Sequence, residues 1–315
     1  MNEPPDPATA VPLLDESAIS RVLRLEELIP AMERALIDFS AGRVLQPLRS
    51  LIPLPQHSAL MGIMPAVYGD IMGAKLVNLY PNNAARGLPT HLAIIVIFRS
   101  DSGEPLAIMD GRLITELRTA AVSAVATRLL SSPNAKSLAI LGSGVQAKAH
   151  VRALTLVRKF DNIRVWSRSP QHALAFASEM GAVATSAEDA VRGADVVVTC
   201  TNSPEPVLRA TWLNAGVLVN AVGAVGPTRR ELDDDVMRGA VVADSRDAAL
   251  QESGDVLLSG ARIHAELGEL LAGTRQMPKA EITVFKSLGL AVEDLAAAKL
   301  VLEKTAERQR TAGTS

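Results

Sequence analysis

Three small residues at a fixed spacing stand between an apolar run and an alanine-rich stretch. In SLAILGSGVQAKAHVRAL they form the pattern G-x-G-x-x-A. In a strand–turn–helix unit the first glycine makes the tight turn, the second lets the backbone approach a pyrophosphate, and the small third residue allows close helix packing. Unpaired N–H groups at the start of the helix attract the anion. We therefore predict a dinucleotide-binding turn formed by Gly142, Ser143, Gly144, Val145, Gln146 and Ala147.

The residues after the next apolar run bear on which dinucleotide binds. That run ends in Val165-Trp166-Ser167-Arg168-Ser169, with no acidic residue where NAD enzymes hold the ribose 2′-hydroxyl. Hydroxyl groups and a guanidinium suit a 2′-phosphate instead. The sequence therefore predicts NADPH, with NADH disfavoured, and assigns Ser167, Arg168 and Ser169 to the cofactor. The alternative for Arg168 is a solvated surface residue.

Later apolar runs also end in small or polar residues. Ligands of parallel sheets bind at the carboxyl ends of the strands. The residues expected to bound the nicotinamide are Thr201, Asn202, Val222, Gly223, Ser287, Leu288 and Gly289.

Three cations lie in otherwise apolar contexts: Arg49 in QPLRSLIP, Lys75 in GAKLVN and Arg118 in TELRTAAVSA. Such a cation must either reach water or bind an anion. An anionic small molecule is therefore the expected substrate class, with surface charges as the alternative. His91 in PTHLAII is a further titratable candidate, for which a structural role is favoured.

The spacing of apolar residues predicts the elements that position these groups. From residue 137 onward, apolar runs alternate with helical patterns, which is typical of a doubly wound parallel sheet in an α/β fold. Before it we predict two short helices broken at Pro30, a meander of strands from Leu48 to Phe98, a hairpin turn at 100–103 and a helix over 115–131. A C-terminal amphipathic helix is expected to return to the N-terminal part.

Composition limits the functional class. A length of 315 residues, 48% of them hydrophobic, suits two domains, and a net charge of −2 argues against nucleic acid or an anionic membrane as partner. No apolar run approaches the roughly 20 residues that span a bilayer. The N-terminus resembles neither a signal nor a transit peptide, and the single Cys200 is expected as a small core residue in a reducing compartment. We therefore predict a cytoplasmic protein.

The acidic run Asp233–Asp235 lacks histidine or cysteine neighbours. We predict the start of a helix there, where carboxylates complement the helix dipole, and no metal site.

Several longer motifs carry a family resemblance. They are MGIMPA, GAKLVNLY, IMDG, RTAAVSA, ILGSGVQA, NAVGA, RELDD, ESGDVLLSG and TVFKSLGLAVED. From about Gln46 to Lys299 the chain resembles the ornithine cyclodeaminase/mu-crystallin family, and within it the mu-crystallin branch of NADPH-dependent ketimine reductases. The resemblance implies a Rossmann domain over 116–290, an α+β substrate-binding and dimerisation domain made of 1–115 with 291–315, and a homodimer.

The resemblance also implies a reaction, the reduction of the C=N bond in cyclic ketimine carboxylates such as Δ1-piperideine-2-carboxylate and Δ1-pyrroline-2-carboxylate. The family places its substrate-carboxylate contacts at Arg49, Lys75 and Arg118. Lys75, expected beside two arginines that lower its pKa, is the candidate proton donor. Glu252 in ESGD is a second catalytic candidate, unless it caps a helix or is purely structural.

Two alternatives remain. Ornithine cyclodeaminases and alanine dehydrogenases of the family place an aspartate after NAVGA, where this chain has Val225. Because valine accepts no proton, amino-acid chemistry of that kind is disfavoured. The other alternative is a crystallin-like protein that binds an iodothyronine without turnover.

Overall fold

The computed structural model describes residues 11–312, which divide into two compact units. One unit comprises residues 11–31, Gly42–Thr115 and 291–312. The other comprises Met32–Ala41 and Glu116–Leu290. We call them the first and the second unit.

Short strands dominate the chain up to a long helix. The elements are β1 (Leu13–Leu14), α1 (Glu16–Val22), α2 (Leu25–Ser40), β2 (Val44–Leu45), β3 (Ser50–Leu54), β4 (Ala59–Tyr68), β5 (Ile71–Leu79), β6 (His91–Arg99), β7 (Pro105–Asp110) and α3 (Gly111–Leu130). Within the described residues the strands form one sheet in the order β1-β7-β6-β5-β4-β2, with β3 also paired to β4. The antiparallel pairs β3–β4, β4–β5 and β5–β6 confirm the predicted meander, and the β6–β7 pair confirms the hairpin.

Strands and helices alternate in the rest of the chain. The elements are β8 (Ser137–Leu141), α4 (Val145–Thr155), β9 (Asn162–Trp166), α5 (Pro170–Met180), β10 (Val183–Ala184), α6 (Ala187–Val191), β11 (Val196–Thr199), β12 (Val217–Ala221), α7 (Asp234–Met237), β13 (Ala240–Ala243), α8 (Arg246–Glu252), α9 (Gly254–Ser259), β14 (Ile263–Glu266), α10 (Leu267–Leu271), β15 (Ile282–Lys286) and α11 (Ala291–Ala312).

The sheet of the second unit is parallel throughout its described pairs, which confirms the predicted doubly wound α/β architecture. Its order is β10-β9-β8-β11-β12-β15-β13-β14, so the chain reverses its direction of winding between β8 and β11. Every residue of β11 and β12 is buried. Such continuous apolar runs are what a parallel strand covered on both faces requires. The carboxyl ends beside the reversal are where a ligand is expected.

The predicted helix break at Pro30 is wrong. Helix α1 ends at Val22, Leu23 is its extended C-cap, and Pro30 lies inside α2. A proline there forgoes one backbone hydrogen bond. Burial of Leu28, Met32 and Leu36 offsets that loss, since each is fully buried.

Other boundaries also differ from the predictions. The long helix begins at Gly111 rather than near residue 115, because the Asp110 carboxylate accepts a hydrogen bond from the Arg112 N–H (2.9 Å) and so caps the helix. Strands β10 and β14 were not predicted, since β10 has only two residues and β14, with the sequence IHAE, lacks the apolar run that marks β11 and β13.

Helix α11 packs on β4, β5 and β6 within the first unit. Gly73 in β5 explains the close approach, because a Cβ at that position would lie 3.1 Å from the Leu295 side chain and 2.2 Å from the Val96 carbonyl oxygen. A larger residue would push the strand and the helix apart.

No helix among residues 11–312 combines the length and apolarity needed to cross a bilayer.

Candidate active site

The glycine-rich turn joins β8 to α4. Gly142 has φ of +127°, and a Cβ there would lie 2.7 Å from the Cys200 carbonyl oxygen, so only glycine fits. Gly144 is the N-cap of α4, makes no side-chain cap, and has open space where a Cβ would project. Ala147 is fully buried. Backbone N–H groups at the start of α4 are therefore accessible to a phosphate, and the turn fits a dinucleotide.

Cys200 packs against this turn. Its Sγ lies 3.6 Å from the Leu141 carbonyl oxygen, and burial raises the pKa of the thiol, with the carboxylate of Glu231 adding to the shift. A thiol that stays protonated is a poor nucleophile. The structure supports a packing role rather than a nucleophilic one, although Cys200 is half-buried and does not belong to the buried core that the sequence predicted for it.

The segment predicted to contact the ribose lies at the end of β9. Ser143 Oγ donates a hydrogen bond to Ser167 Oγ (2.8 Å), which ties the turn to this segment. Arg168 is exposed, and within residues 11–312 no ion pair or hydrogen bond holds its guanidinium. Ser169 caps α5, since its Oγ accepts from the His172 N–H (3.4 Å). Arg168 and Ser167 are therefore better placed than Ser169 to contact a ribose phosphate.

A buried carboxylate connects the two loops that follow β11 and β12. Glu231 is fully buried. Its Oε1 accepts from the backbone N–H and the hydroxyl of Thr201 (2.6 and 2.7 Å). Its Oε2 accepts from the Thr199 hydroxyl and from the backbone N–H groups of Gly223 and Ala224 (2.8, 2.8 and 3.2 Å). Thr201 and Gly223, two predicted nicotinamide neighbours, are thus held by one side chain.

A buried ion pair supports Glu231. The Asp255 carboxylate accepts from the backbone N–H groups of Glu231 and Leu232 (2.8 and 3.0 Å). Lys286 Nζ donates to Asp255 Oδ2 (2.8 Å) and to the Ala224 carbonyl (2.9 Å). Both partners of the pair are fully buried. This arrangement locks the Glu231 backbone and the loop after β12 in place.

A second buried carboxylate shapes the loop after β15. Asp244 Oδ2 accepts from the backbone N–H groups of Leu288 and Gly289 (2.6 and 2.7 Å) and from the Ser287 hydroxyl (3.3 Å). Gly289 has φ of +79°, and a Cβ there would lie 2.4 Å from Arg118 Nη1. The loop therefore makes room for the Arg118 guanidinium, which is buried at 4% exposure.

Lys75 lies in the first unit, in the middle of β5. Its Nζ is 2.6 Å from Asp294 Oδ2, and Asp294 stands in the first turn of α11. Both side chains are buried. The Asp294 carboxylate is thus one charged partner of the Lys75 ammonium group, and the expected proximity of two arginines stays a prediction.

The remaining substrate-binding and catalytic candidates lie at the ends of elements. Arg49 is half-buried and immediately precedes β3, and His91 is the half-buried first residue of β6. Glu252 is the last residue of α8, and its backbone carbonyl accepts from the Gly226 N–H (2.9 Å). The cap of the following helix is Ser253 rather than Glu252. The catalytic role of Glu252 stays a prediction.

The acidic run forms a helix start, as predicted. Asp233 caps α7, and its carboxylate accepts from the Val236 N–H (2.9 Å). Among the residues that the structure describes, no group of three or more His, Cys, Asp or Glu side chains could hold a metal ion.

Sequence reasoning missed five buried charged residues. Glu231, Asp244, Asp255 and Lys286 hold loops of the second unit, and Asp294 pairs with Lys75 in the first unit. A signal was present for several of them. Lys286 is the last residue of the apolar strand ITVFK, and Asp244 directly follows the apolar strand AVVA. Buried charges require partners, so an ionisable residue inside an apolar run points to an internal ion pair. The spacing of residues along the sequence does not identify the partner of such a buried charge.

Three comparisons give the chain its relatives. The model of the ornithine cyclodeaminase/mu-crystallin family matches residues 11–309. The ketimine reductase mu-crystallin of Mus musculus is 48% identical over 285 residues, which cover 88% of this chain and 91% of the mouse protein. The structure of Thermococcus litoralis Δ1-pyrroline-2-carboxylate reductase in complex with NADH and L-proline superimposes with a TM-score of 0.90 at 36% identity, covering 95% of this chain and 98% of that one.

An archaeal alanine dehydrogenase dimer with bound NAD is also similar. Its TM-score is 0.89 at 30% identity, and the match covers 95% of this chain and 97% of that one.

Proposed function

The chain belongs to the ornithine cyclodeaminase/mu-crystallin family, and we propose that it reduces the C=N bond of cyclic ketimine carboxylates with a nicotinamide cofactor. Δ1-Piperideine-2-carboxylate and Δ1-pyrroline-2-carboxylate are the proposed substrate type, and cyclic imino acids are the products. The observation that carries the proposal is the buried Arg118 guanidinium beside Gly289, at the carboxyl edge of the sheet that also bears the dinucleotide turn. A buried cation there suits an anionic substrate.

The residues proposed to bind the cofactor lie in the glycine-rich turn between β8 and α4 and in three loops at the carboxyl edge of the same sheet. The N–H groups at the start of α4 hold the pyrophosphate, and the loops after β11, β12 and β15 bound the nicotinamide. When bound, the cofactor supplies the hydride that reduces the C=N carbon. The protein orients the substrate and provides a proton.

Arg118 is the proposed contact for the substrate carboxylate. A guanidinium presents its donors in a fork that matches a carboxylate, so it fixes orientation as well as charge. The Asp244 carboxylate holds Gly289 in place and thereby preserves the space that Arg118 occupies. Arg49 is proposed as a second cationic contact, and His91 as a polar neighbour of the substrate.

Lys75 is the proposed source of the proton on the imine nitrogen. A protonated C=N group is a better hydride acceptor, so an acid must supply or retain that proton. The Asp294 carboxylate at 2.6 Å provides a counter-charge for the ammonium group and fixes Nζ. Glu252 is kept as the second proposed acidic group.

NADPH is the proposed cofactor. Its support is the Ser167-Arg168 pair and the absence of an acidic side chain in the segment 165–169. The similar structures named above contain NADH and NAD, so the preference for the phosphorylated form is a property proposed for this chain.

Val225 argues against amino-acid chemistry of the cyclodeaminase or alanine dehydrogenase type. It packs against the hydrophobic core of the second unit and offers no base for a water or amine step. A homodimer is proposed from the dimeric state of the similar archaeal protein, and a cytoplasmic location from the single cysteine.

The test follows NADPH absorbance with purified protein and Δ1-piperideine-2-carboxylate. Parallel assays use NADH and Δ1-pyrroline-2-carboxylate, and ornithine serves as the substrate for the cyclodeaminase alternative. We expect substrate-dependent oxidation of NADPH and no release of ammonia from ornithine. If neither reduced cofactor is oxidised, the reductase proposal is wrong, and titration with an iodothyronine would then test a binding role.

A further inference from the structure

We propose that Glu231 is a positioning residue for the nicotinamide end of the cofactor site, and that its buried carboxylate favours the oxidised, positively charged form of the cofactor. The inference rests on the proposed reductase function and deepens it. Glu231 was not among the residues that motif reasoning assigned to the site.

Strands β11 and β12 are neighbours in parallel register, with Thr199 opposite Ala221. The segments that follow them carry Thr201, Asn202, Val222 and Gly223 to the carboxyl edge of the sheet. Glu231 accepts hydrogen bonds from both segments, through Thr201 on one side and Gly223 on the other. It therefore sets the distance between the two loops.

The glycine at 223 fits this role. A Cβ there would lie 2.6 Å from Glu231 Oε1, 2.3 Å from the Thr201 carbonyl oxygen and 2.4 Å from the Thr201 N. The carboxylate and both loops are thus packed without room for a side chain. Any shift of Glu231 is transmitted directly to the loops.

Asp255 and Lys286 form an ion pair, so their charges balance, and the charge that remains in this group is that of Glu231. Both Glu231 oxygens accept hydrogen bonds from backbone N–H groups, which can only donate. Burial raises the pKa of Glu231, while Lys286 and the threonine donors oppose that rise. The donor geometry is that of a carboxylate.

The nicotinamide ring is neutral in the reduced cofactor and carries a positive charge in the oxidised one. A negative charge behind the loops that bound the ring attracts the oxidised form, and low local polarity strengthens the attraction. Tighter binding of the oxidised cofactor than of the reduced one favours transfer of the hydride from the cofactor to the substrate, which is the direction of a reductase.

The experiment measures the dissociation constants of NADP⁺ and NADPH without substrate, by calorimetry and by cofactor fluorescence. Glu231→Gln keeps the shape of the side chain and removes its charge. We expect this variant to weaken NADP⁺ binding by about fivefold or more relative to NADPH. Thr199→Val is the matched control, because it removes one hydrogen bond to Oε2 without changing charge. It should alter both constants by the same factor.

A second variant covers the case that Glu231→Gln fails to fold. Glu231→Asp keeps the negative charge and shortens the side chain, so it should weaken both constants by the same factor and leave the preference between NADP⁺ and NADPH unchanged. Equal changes in both constants for Glu231→Gln, or a changed preference in Glu231→Asp, would overturn the inference. A wild-type protein that binds neither form would instead contradict the proposed function, which separates the two failures.

Discussion

The ammonium group of Lys75 lies 2.6 Å from the carboxylate of Asp294, and both side chains are buried. One residue is in the middle of a strand and the other is in the first turn of the last helix, more than two hundred residues later. Gly73 permits this contact, because it lets α11 approach β5 closely at Leu295, the neighbour of Asp294. Each buried charge would be uncompensated without the other, so this ion pair holds the C-terminal helix against the sheet.

Replacing Asp294 by asparagine should destabilise the protein. The change leaves the Lys75 ammonium group without its carboxylate at a buried position, which costs about 3–5 kcal/mol in the free energy of unfolding. Urea unfolding followed by circular dichroism measures this. The double variant Lys75→Met with Asp294→Leu is the control and should lose clearly less than the sum of its single changes. Additive losses would show that the two residues do not stabilise each other.

Replacing Lys75 by arginine should separate charge from proton donation. Arginine keeps a cation opposite Asp294 but does not release a proton near neutral pH, so the fold is retained while kcat falls by about 10²-fold or more. Steady-state NADPH oxidation with Δ1-piperideine-2-carboxylate measures the effect, and a thermal melt checks folding. Near-wild-type turnover in this variant would rule out Lys75 as the proton donor.

Replacing Arg168 by alanine should weaken NADPH selectively. A hydrogen bond between charged groups contributes about 1.5–3 kcal/mol, so the KM for NADPH should rise about tenfold or more while the KM for NADH stays the same. Arg152→Ala, which removes another exposed arginine of the second unit, is the matched control and should change neither value. An unchanged KM for NADPH in Arg168→Ala would show that Arg168 is only a solvated residue.

His150 should make stability depend on pH. It is fully buried, its Nδ1 donates to the Gln146 carbonyl (2.7 Å), and its Nε2 accepts from the Ser123 hydroxyl (2.9 Å). Burial lowers the pKa of His150 from 6.5 to about 4. As the pH falls below 6.5, the unfolded chain takes up a proton that the folded protein excludes, so stability is lost as the pH falls toward 4.

The loss that His150 contributes between pH 7.5 and pH 4.5 should be about 2–3 kcal/mol. Urea titrations at the two pH values measure it in the wild type and in His150→Gln, which lacks the titrating group. The exposed His172→Gln serves as control and should behave like the wild type. The same pH dependence in His150→Gln and in the wild type would contradict the assignment.

Much of the fold could be predicted because its signals are local. The glycine-rich turn needs residues at positions 142, 144 and 147 only, and the alternation of strands and helices after residue 137 predicts a parallel sheet. The predictions failed where a distant contact decides the outcome. Pro30 stays inside a helix because the apolar residues around it are buried. Strand β10 was missed because it has only two residues, and β14 because its sequence IHAE contains no apolar run.

The cofactor class, the fold class and the family were therefore determined by the sequence itself, since a dinucleotide turn and apolar periodicity depend on neighbouring residues. Tertiary structure alone decided which carboxylate meets Lys75, that Glu231 connects the two loops, and that Asp244 holds Gly289 beside Arg118. The physical reason is burial. A buried charge requires an oppositely charged or hydrogen-bonding partner, and tertiary packing decides which residue that is. The sequence shows which residues are charged but not which of them pair.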